Sequence, residues 1–261
     1  MLLVPKEQFH LLKEKMMDAP TFVYSVLDQM IDGAVYTHSV KEETILVKTN
    51  AGLYYITGKP CETAWHQLRN MYEQALHEQK RFTLFCDDSL LETELDRRFC
   101  HQLTKVRWYT FSFQAGYHEN GKRPLKQSYD VKRINQPLIE QSVEFTKQYY
   151  MAYWDTVENF LTHGIGFCIM DNEKVVSEAV SIFRSQAYAE IDIFTHANYR
   201  GQGLAKIIGE RFIDDCIAHK LEPRWDCDVN NVASIYLGTT LGFTNRKAYS
   251  VYTKTSKESM S

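Results

Sequence analysis

Residues 189–216 have the sequence AEIDIFTHANYRGQGLAKIIGERFIDDC, and this stretch decides the fold. Residues 189–195 alternate as a strand does, residues 204–216 have the apolar spacing of a helix, and Gly201 and Gly203 lie between them. A strand, a glycine turn and a helix in this order form an anion site. The first helical N–H groups have no acceptor within the helix, and glycine allows an anion to approach the backbone closely. A flexible turn with a helix cap is the alternative explanation.

Two familiar phosphate-binding motifs do not fit this turn. The dinucleotide fingerprint needs three glycines and parallel surroundings, whereas residues 166–171, 175–183 and 189–195 are predicted as closely connected antiparallel strands. A nucleotide P-loop needs Gly-Lys-Ser/Thr, which is absent. A site of the coenzyme A type is therefore the interpretation that survives.

The flanking sequence extends the same domain in both directions. Downstream, a helix to residue 219 precedes a strand, a helix and a last strand, predicted over residues 223–229, 232–240 and 249–253. Upstream, a strand over residues 129–134 is followed by helices predicted over residues 139–153 and 155–162. The order indicates a mixed sheet flanked by helices.

The N-terminal half has its own alternation of helices and strands. Helical spacing is interrupted by Pro20 within residues 5–30, and β-branched segments fill residues 34–57. Two helix and strand pairs follow, up to the polar loop GYHENGKRP at residues 116–124. This loop predicts two domains, 1–120 and 121–261. No internal sequence repeat is found, and the order of elements leaves a diverged duplication open.

Composition excludes several classes of function. The chain has 261 residues, with 30 Lys and Arg against 33 Asp and Glu, and a net charge of −3 argues against nucleic acid as a partner. The N-terminus lacks a signal-peptide core and no apolar run is long enough for a membrane helix, so we expect a cytoplasmic protein without a membrane partner. The six cysteines are scattered without short paired spacing, which argues against both a metal site and a disulfide framework.

Two spaced motifs resemble one family. Residues 200–205, RGQGLA, match Arg/Gln-x-x-Gly-x-Gly/Ala, the hallmark of the GNAT superfamily of N-acetyltransferases, and Asn231 through Leu241-Gly242-Phe243 matches a second element of that family. The resemblance covers roughly residues 125–255. It implies an α/β (α+β) protein: a C-terminal GNAT fold with a mixed, mainly antiparallel sheet flanked by helices, and a divergent α/β N-terminal domain. Within the family, the chain resembles the zwittermicin-resistance-like branch.

The resemblance implies acetyl-CoA as cosubstrate, without a metal. The pantetheine is expected to pair with the backbone of Ile193, Phe194 and Thr195. The pyrophosphate is expected on the turn and the start of the helix, at Arg200, Gly201, Gln202, Gly203, Leu204 and Ala205. Asn231 and Ser234 are assigned to the same cosubstrate site, with Asn231 near the thioester. For Asn231 a helix N-cap is the alternative role, and Ser234 is alternatively a small packing or capping residue.

Catalysis requires that a proton be removed from the acceptor amine. Glu190 and Asp192 alternate on the strand and therefore share a face, where a pair of acids can raise the pKa of one of them. In many GNAT enzymes a Glu near this position is the base, so both residues are candidate catalytic residues. The alternative is that both carboxylates face solvent or pair with a basic side chain.

At the position of the acid that would protonate the leaving thiolate, the sequence departs from the family pattern. Many family members have Tyr at the position of Gly238, and Tyr236 lies about 200° away around the helix. The leading function is N-acetyl transfer to a small-molecule amine, which the branch suggests to be antibiotic-like. The N-terminal domain is then expected to shape the acceptor site or a homodimer. A non-catalytic acyl-CoA-binding sensor or interaction module is the alternative.

Overall fold

The computed structural model describes residues 1–38, 44–86, 88–118 and 128–255. They belong to two compact units, one formed by Met1–Trp108 with Ala248–Ser261 and the other by Tyr109–Lys247. The predicted boundary between residues 120 and 121 lies within 119–127, outside the described residues, so the two-domain division at that point stays a prediction.

Helices and strands alternate through both units. The α-helices are α1 (Phe9–Lys13), α2 (Thr21–Leu27), α3 (Glu62–His77), α4 (Ser89–Arg98), α5 (Ala115–His118), α6 (Gln136–Gln141), α7 (Lys147–Tyr153), α8 (Val157–His163), α9 (Leu204–Ala218) and α10 (Val232–Thr240). The strands are β1 (Leu2–Leu3), β2 (Gly33–Thr37), β3 (Ile45–Thr49), β4 (Leu53–Thr57), β5 (Thr83–Cys86), β6 (Leu103–Phe113), β7 (Tyr129–Arg133), β8 (Gly166–Asp171), β9 (Lys174–Arg184), β10 (Tyr188–Thr195), β11 (Glu222–Asp228) and β12 (Phe243–Lys254). Short 3₁₀ turns lie at Lys6–Gln8 and Ala197–Tyr199. Strands β6 and β12 each contribute residues to both units.

In the second unit, the chain builds an antiparallel sheet and then adds one parallel strand. Strands β7, β8, β9 and β10 pair in chain order, each antiparallel to the next. Helix α9 then carries the chain back, so that β11 pairs parallel to β10. The predicted mixed, mainly antiparallel sheet with flanking helices is confirmed.

The first unit repeats this order of pairings. Strands β1 to β4 are successive antiparallel neighbours, α3 follows, and β5 pairs parallel to β4. Residues Ser250–Thr253 of β12 pair antiparallel to β5. The two units therefore share a topology. The sequence has no recognisable repeat, and it left a diverged duplication as an open alternative.

Helix α9 packs against the sheet of the second unit through its apolar face. Leu204, Ile208 and Phe212 are buried in one cluster with strand residues such as Ile169 and Ile191. Gly209 lies on the same helix, and a Cβ there would be 2.7 Å from Leu241 Cδ1 and 3.2 Å from Ile193 Cδ1. The glycine thus allows α9 to approach Leu241 and Ile193 of β10 closely.

The single helix predicted over residues 139–153 is wrong, because the chain forms two helices there. Helix α6 ends at Gln141, and the backbone of the next residue, Ser142, is extended with ψ 138°. The Ser142 hydroxyl accepts a hydrogen bond from the Phe145 N–H at 2.9 Å and donates one to Glu178 at 2.7 Å. A side chain that competes with the helical backbone in this way favours a break, and the break depends on a distant residue.

Gly209→Val tests the packing of α9. The added side chain must displace Leu241 or Ile193 in a filled core, so we expect the free energy of unfolding to fall by about 1–3 kcal/mol. Ala218→Val, at the exposed end of the same helix, should change it by less than about 0.5 kcal/mol. Denaturant unfolding of both variants measures this, and equal stabilities would contradict the close packing.

Candidate active site

The glycine turn joins β10 to α9 through two residues with left-handed backbone. Gly201 has φ 75° and Gly203 has φ 82°, a conformation that glycine adopts at little cost. Three hydrogen bonds hold the turn. Arg200 Nε donates to the Thr195 carbonyl at 3.1 Å. The Tyr129 hydroxyl donates to Gln202 Oε1 at 2.9 Å, and the Tyr199 hydroxyl donates to Asp171 Oδ2 at 3.0 Å. The predicted order of strand, turn and helix is confirmed.

The start of α9 has the properties of an anion site. Gly203 is its N-cap and has no side chain to satisfy the first N–H groups, and no acidic residue lies in the first turn. A Cβ at Gly201 would meet nothing within 4 Å, so the space beside the backbone is open. The exposed Arg200 side chain adds a positive charge next to this space. Together these features suit a phosphate or diphosphate group.

Strands β10 and β11 pair only over Tyr188–Glu190 and Glu222–Arg224. Beyond Glu190, β10 keeps its ladder to β9 as far as Thr195, and within the described part of the chain β11 no longer pairs with it. One edge of the β10 backbone is therefore left without a strand partner. Ile193, Phe194 and Thr195, the residues predicted to pair with a cosubstrate, lie in this segment.

Glu190 and Asp192 lie on the face of β10 opposite to α9. Ala189 and Ile191 are buried in the α9 cluster, whereas Glu190 and Asp192 alternate with them and are half-buried. Tyr149 donates a hydrogen bond to Asp192 Oδ2 at 2.9 Å. Burial raises the pKa of Asp192, and the hydrogen bond from Tyr149 opposes that rise. The prediction that the two acids share a face is confirmed by this alternation, and their catalytic roles stay a prediction.

A third acid on this face was not singled out from the sequence. Glu178 on β9 lies opposite Phe194 of β10, and Phe194 shares a face with Asp192. Glu178 is only 2% exposed. Burial raises its pKa to about 7, against the effect of the hydrogen bond from Ser142. The only sequence signal was one charged residue within the apolar strand segment VVSEAVSIF.

The aromatic residues of α7 and its C-terminal end divide between core and surface. Tyr150 and Trp154 are fully buried, and Trp154 donates to the Ser181 carbonyl at 2.9 Å. Tyr149 and Tyr153 are half-buried, with ring centroids 4.9 Å apart. These two rings therefore form a partly open aromatic surface beside Asp192.

Asn231 is the N-cap of α10, where its side chain accepts a hydrogen bond from the Ser234 N–H at 3.1 Å. The capping role is confirmed, and contact of Asn231 or Ser234 with a cosubstrate stays a prediction. Gly238 is buried against an indole, and a Cβ there would lie 3.0 Å from Trp225 Nε1. Tyr236, on another side of the helix, is 72% exposed. A larger residue at position 238 would need the Trp225 ring to move.

Cys227 has the features of a buried structural thiol. It is 5% exposed, and burial raises its pKa, although the Ser234 hydroxyl and the Trp225 indole oppose this rise. Among the described residues, no group of three or more His, Cys, Asp or Glu side chains is placed to hold a metal. In the same part of the chain, no helix is long and apolar enough to cross a membrane.

Comparisons with known proteins match almost the whole chain. A family model described as GNAT acetyltransferase matches residues 10–252. The uncharacterized N-acetyltransferase YdfB of Bacillus subtilis (strain 168) is 37% identical over 235 residues, which are 89% of this chain and 90% of that protein.

Solved structures with a similar fold include two acetyltransferase-like proteins. A GCN5-related N-acetyltransferase-like protein from Streptococcus suis 89/1591 has a TM-score of 0.73 and 25% identity, covering 95% of this chain and 99% of that one. A tandem GNAT protein from the clavulanic acid biosynthesis pathway has a TM-score of 0.66 and 11% identity, covering 97% of each chain. The second likeness is one of fold alone, and it agrees with the repeated topology of the two units.

Glu178→Gln tests the buried acid through the pH dependence of stability. The pKa of Glu178 is raised from 4.5 to about 7 on folding, so its protonated form stabilises the folded state below about pH 4.5 and this contribution is lost as the pH rises through 7. We expect the variant to gain up to about 3 kcal/mol relative to the parent between pH 5 and 8. Denaturant unfolding at each pH measures the difference. Glu140→Gln removes an exposed acid on α6, and its difference in unfolding free energy from the parent should not change with pH. A difference for Glu178→Gln that stays the same from pH 5 to 8 would contradict the raised pKa of Glu178.

Proposed function

Because the chain belongs to the GNAT acetyltransferase family, we propose that it transfers an acetyl group from acetyl-CoA to an amino group of a small-molecule acceptor. The observation that carries the proposal is the geometry of the turn between β10 and α9. Both glycines have positive φ, and the space beside Gly201 is open at an uncapped helix N-terminus, next to the exposed Arg200. Acetyl-CoA is the cosubstrate of GNAT-fold enzymes, and these residues fit its diphosphate.

The proposed path of the cosubstrate follows the unpaired edge of β10. The diphosphate would accept hydrogen bonds from the N–H groups of Gly201 to Ala205 and from Arg200. The pantetheine would then lie along Ile193–Thr195, where β10 has lost its ladder to β11. An amide-containing chain can satisfy the free backbone groups of a strand edge, which favours this path. Asn231 and Ser234 would lie towards the thioester end.

Glu190 is the proposed general base, with Asp192 as its partner on the same face. The nitrogen of the acceptor attacks the thioester carbonyl, Glu190 takes the proton that the amine loses, and the carbon–sulfur bond breaks. An alkylamine is mostly protonated near neutral pH, so a carboxylate close to the reacting nitrogen is needed. Glu190, opposite Arg224, forms the last residue pair of β10 and β11 and so lies at the point where the strands part.

The leaving thiolate can depart without a protein acid. A thiol with a pKa of about 8.5 is a good leaving group, and it can take a proton from solvent afterwards. Gly238, packed against Trp225, stands where many family members have Tyr. This difference is the observation that favours the second candidate, a non-catalytic protein that binds acyl-CoA as a sensor or interaction module. The likeness to the zwittermicin-resistance-like branch, and with it an antibiotic-like acceptor, stays a prediction.

Thiol release from acetyl-CoA in the presence of a panel of primary amines separates the two candidates. We expect turnover with at least one amine, and Glu190→Gln should lower its kcat by about 10²-fold or more at neutral pH, because the general base is lost. Calorimetry should show that acetyl-CoA binds both proteins equally.

The matched control for Glu190→Gln is Glu173→Gln, in the exposed turn between β8 and β9, which should keep the parent kcat. Clear binding of acetyl-CoA without turnover of any amine would favour the sensor. A normal rate for Glu190→Gln across the pH range would show that another group is the base.

A further inference from the structure

Three carboxylates lie on the same face of the sheet in the second unit. Glu190 and Asp192 are two positions apart on β10, and Glu178 is opposite Phe194, the next residue of β10 on that face. Helices α6 and α7 cover this face, since Ser142 donates to Glu178 and Tyr149 donates to Asp192. The face opposite to α9 therefore carries three carboxylates, and Arg224 of β11 lies opposite Glu190 on the same face.

The described residues supply no basic partner to two of these acids. Glu178 is 2% exposed and Asp192 is half-buried, and no Lys, Arg or His in the described ranges lies within ion-pair distance of either one. The hydrogen bonds they receive come from neutral hydroxyl groups. Buried carboxylates are costly unless they are protonated or meet a cation, so this face favours a ligand that brings positive charge.

Tyr150 supplies a second and independent observation. Its side chain is fully buried, and its hydroxyl has no hydrogen-bond partner within the described part of the chain. The pKa of Tyr150 is raised by burial first, and then by the nearby charges of Glu178, Cys168 and Asp192. This buried hydroxyl thus feels the charges of two acids and bonds neither of them, and a polar ligand or the water accompanying it would satisfy it.

Aromatic rings border the same acids. The half-buried rings of Tyr149 and Tyr153 lie 4.9 Å apart, and Tyr153 is 5.6 Å from Phe183, which pairs with Glu190 across the strands. An ammonium group is attracted both to a carboxylate and to the face of an aromatic ring. Asp192 with Tyr149 and Tyr153 therefore has the composition of an ammonium site.

We propose that the acceptor carries at least two amino groups, of which one is acetylated beside Glu190 while the other is held as an ammonium ion by Asp192, next to the rings of Tyr149 and Tyr153. This inference rests on the proposed acetyl transfer. Residues two apart on a strand are separated by roughly 7 Å, so the two nitrogens should be separated by about the same distance. A linear chain of about four or five carbon atoms between the nitrogens spans that length.

The test compares 1,4-diaminobutane with 1-aminobutane as acceptors. For the parent protein we expect kcat/KM to be about 10- to 100-fold higher for the diamine, because it gains a charge-assisted contact. Asp192→Asn keeps the shape and the partner of Tyr149 but loses the charge, so this ratio should fall towards one. Glu190→Gln should lower the rates with both amines and leave the ratio high. A parent ratio near one, or a ratio that Asp192→Asn does not change, would overturn the proposal.

Calorimetric binding of the same two amines separates this proposal from acetyl transfer itself. If no amine is acetylated, the proposed function fails, but the parent should still bind the diamine at least about tenfold more tightly than the monoamine. Asp192→Asn should remove that preference, and Glu140→Gln, an exposed acid on α6, should retain it. Equal affinities of the parent for the two amines would overturn the ammonium site whether or not turnover is seen.

Discussion

The early separation of β10 from β11 is the constraint on which the rest of the second unit depends. The two strands pair over three residues each and then part, although β10 remains fixed to β9 along its length. A strand with one free edge retains backbone donors and acceptors that must be satisfied by something other than the sheet. Gly201 and Gly203 turn the chain just beyond this edge and place the N-terminus of α9 at its end. The open edge and the start of α9 are thus consecutive along the chain, as the proposed binding of an extended, phosphorylated ligand requires.

The first unit has the same topology but lacks a glycine turn like the one between β10 and α9. Its equivalent connection, between β4 and α3, contains Pro60, which has no N–H group, and Glu62 in the first turn of the helix. The Glu62 carboxylate is held by Arg98 at 2.5 Å, and a negative charge at this position disfavours an anion. The two units therefore share an order of strands and helices, but only the second has the features of the proposed anion site, and the difference lies in a few residues.

Local signals in the sequence were sufficient for most of the fold and for the glycine turn. Alternation predicted β10, spacing predicted α9, and Asn231 was recognisable as a cap because its role depends only on the next few residues. The break after α6 and the buried position of Glu178 were not predictable in this way. Ser142 and Glu178 are 36 residues apart, and each has its role only because the folded sheet brings the other within 2.7 Å. The acidic face likewise exists only through the register of β9 against β10.

Amide hydrogen exchange with and without coenzyme A tests the central claim, that the turn between β10 and α9 holds the diphosphate. The N–H groups of residues 201–206 have no acceptor within the helix, so bound ligand should slow their exchange by about tenfold or more. The equivalent segment of the first unit, residues 58–64, should exchange at the same rate in both conditions. Coenzyme A that binds without slowing exchange in residues 201–206, or that protects residues 58–64 instead, would contradict this assignment.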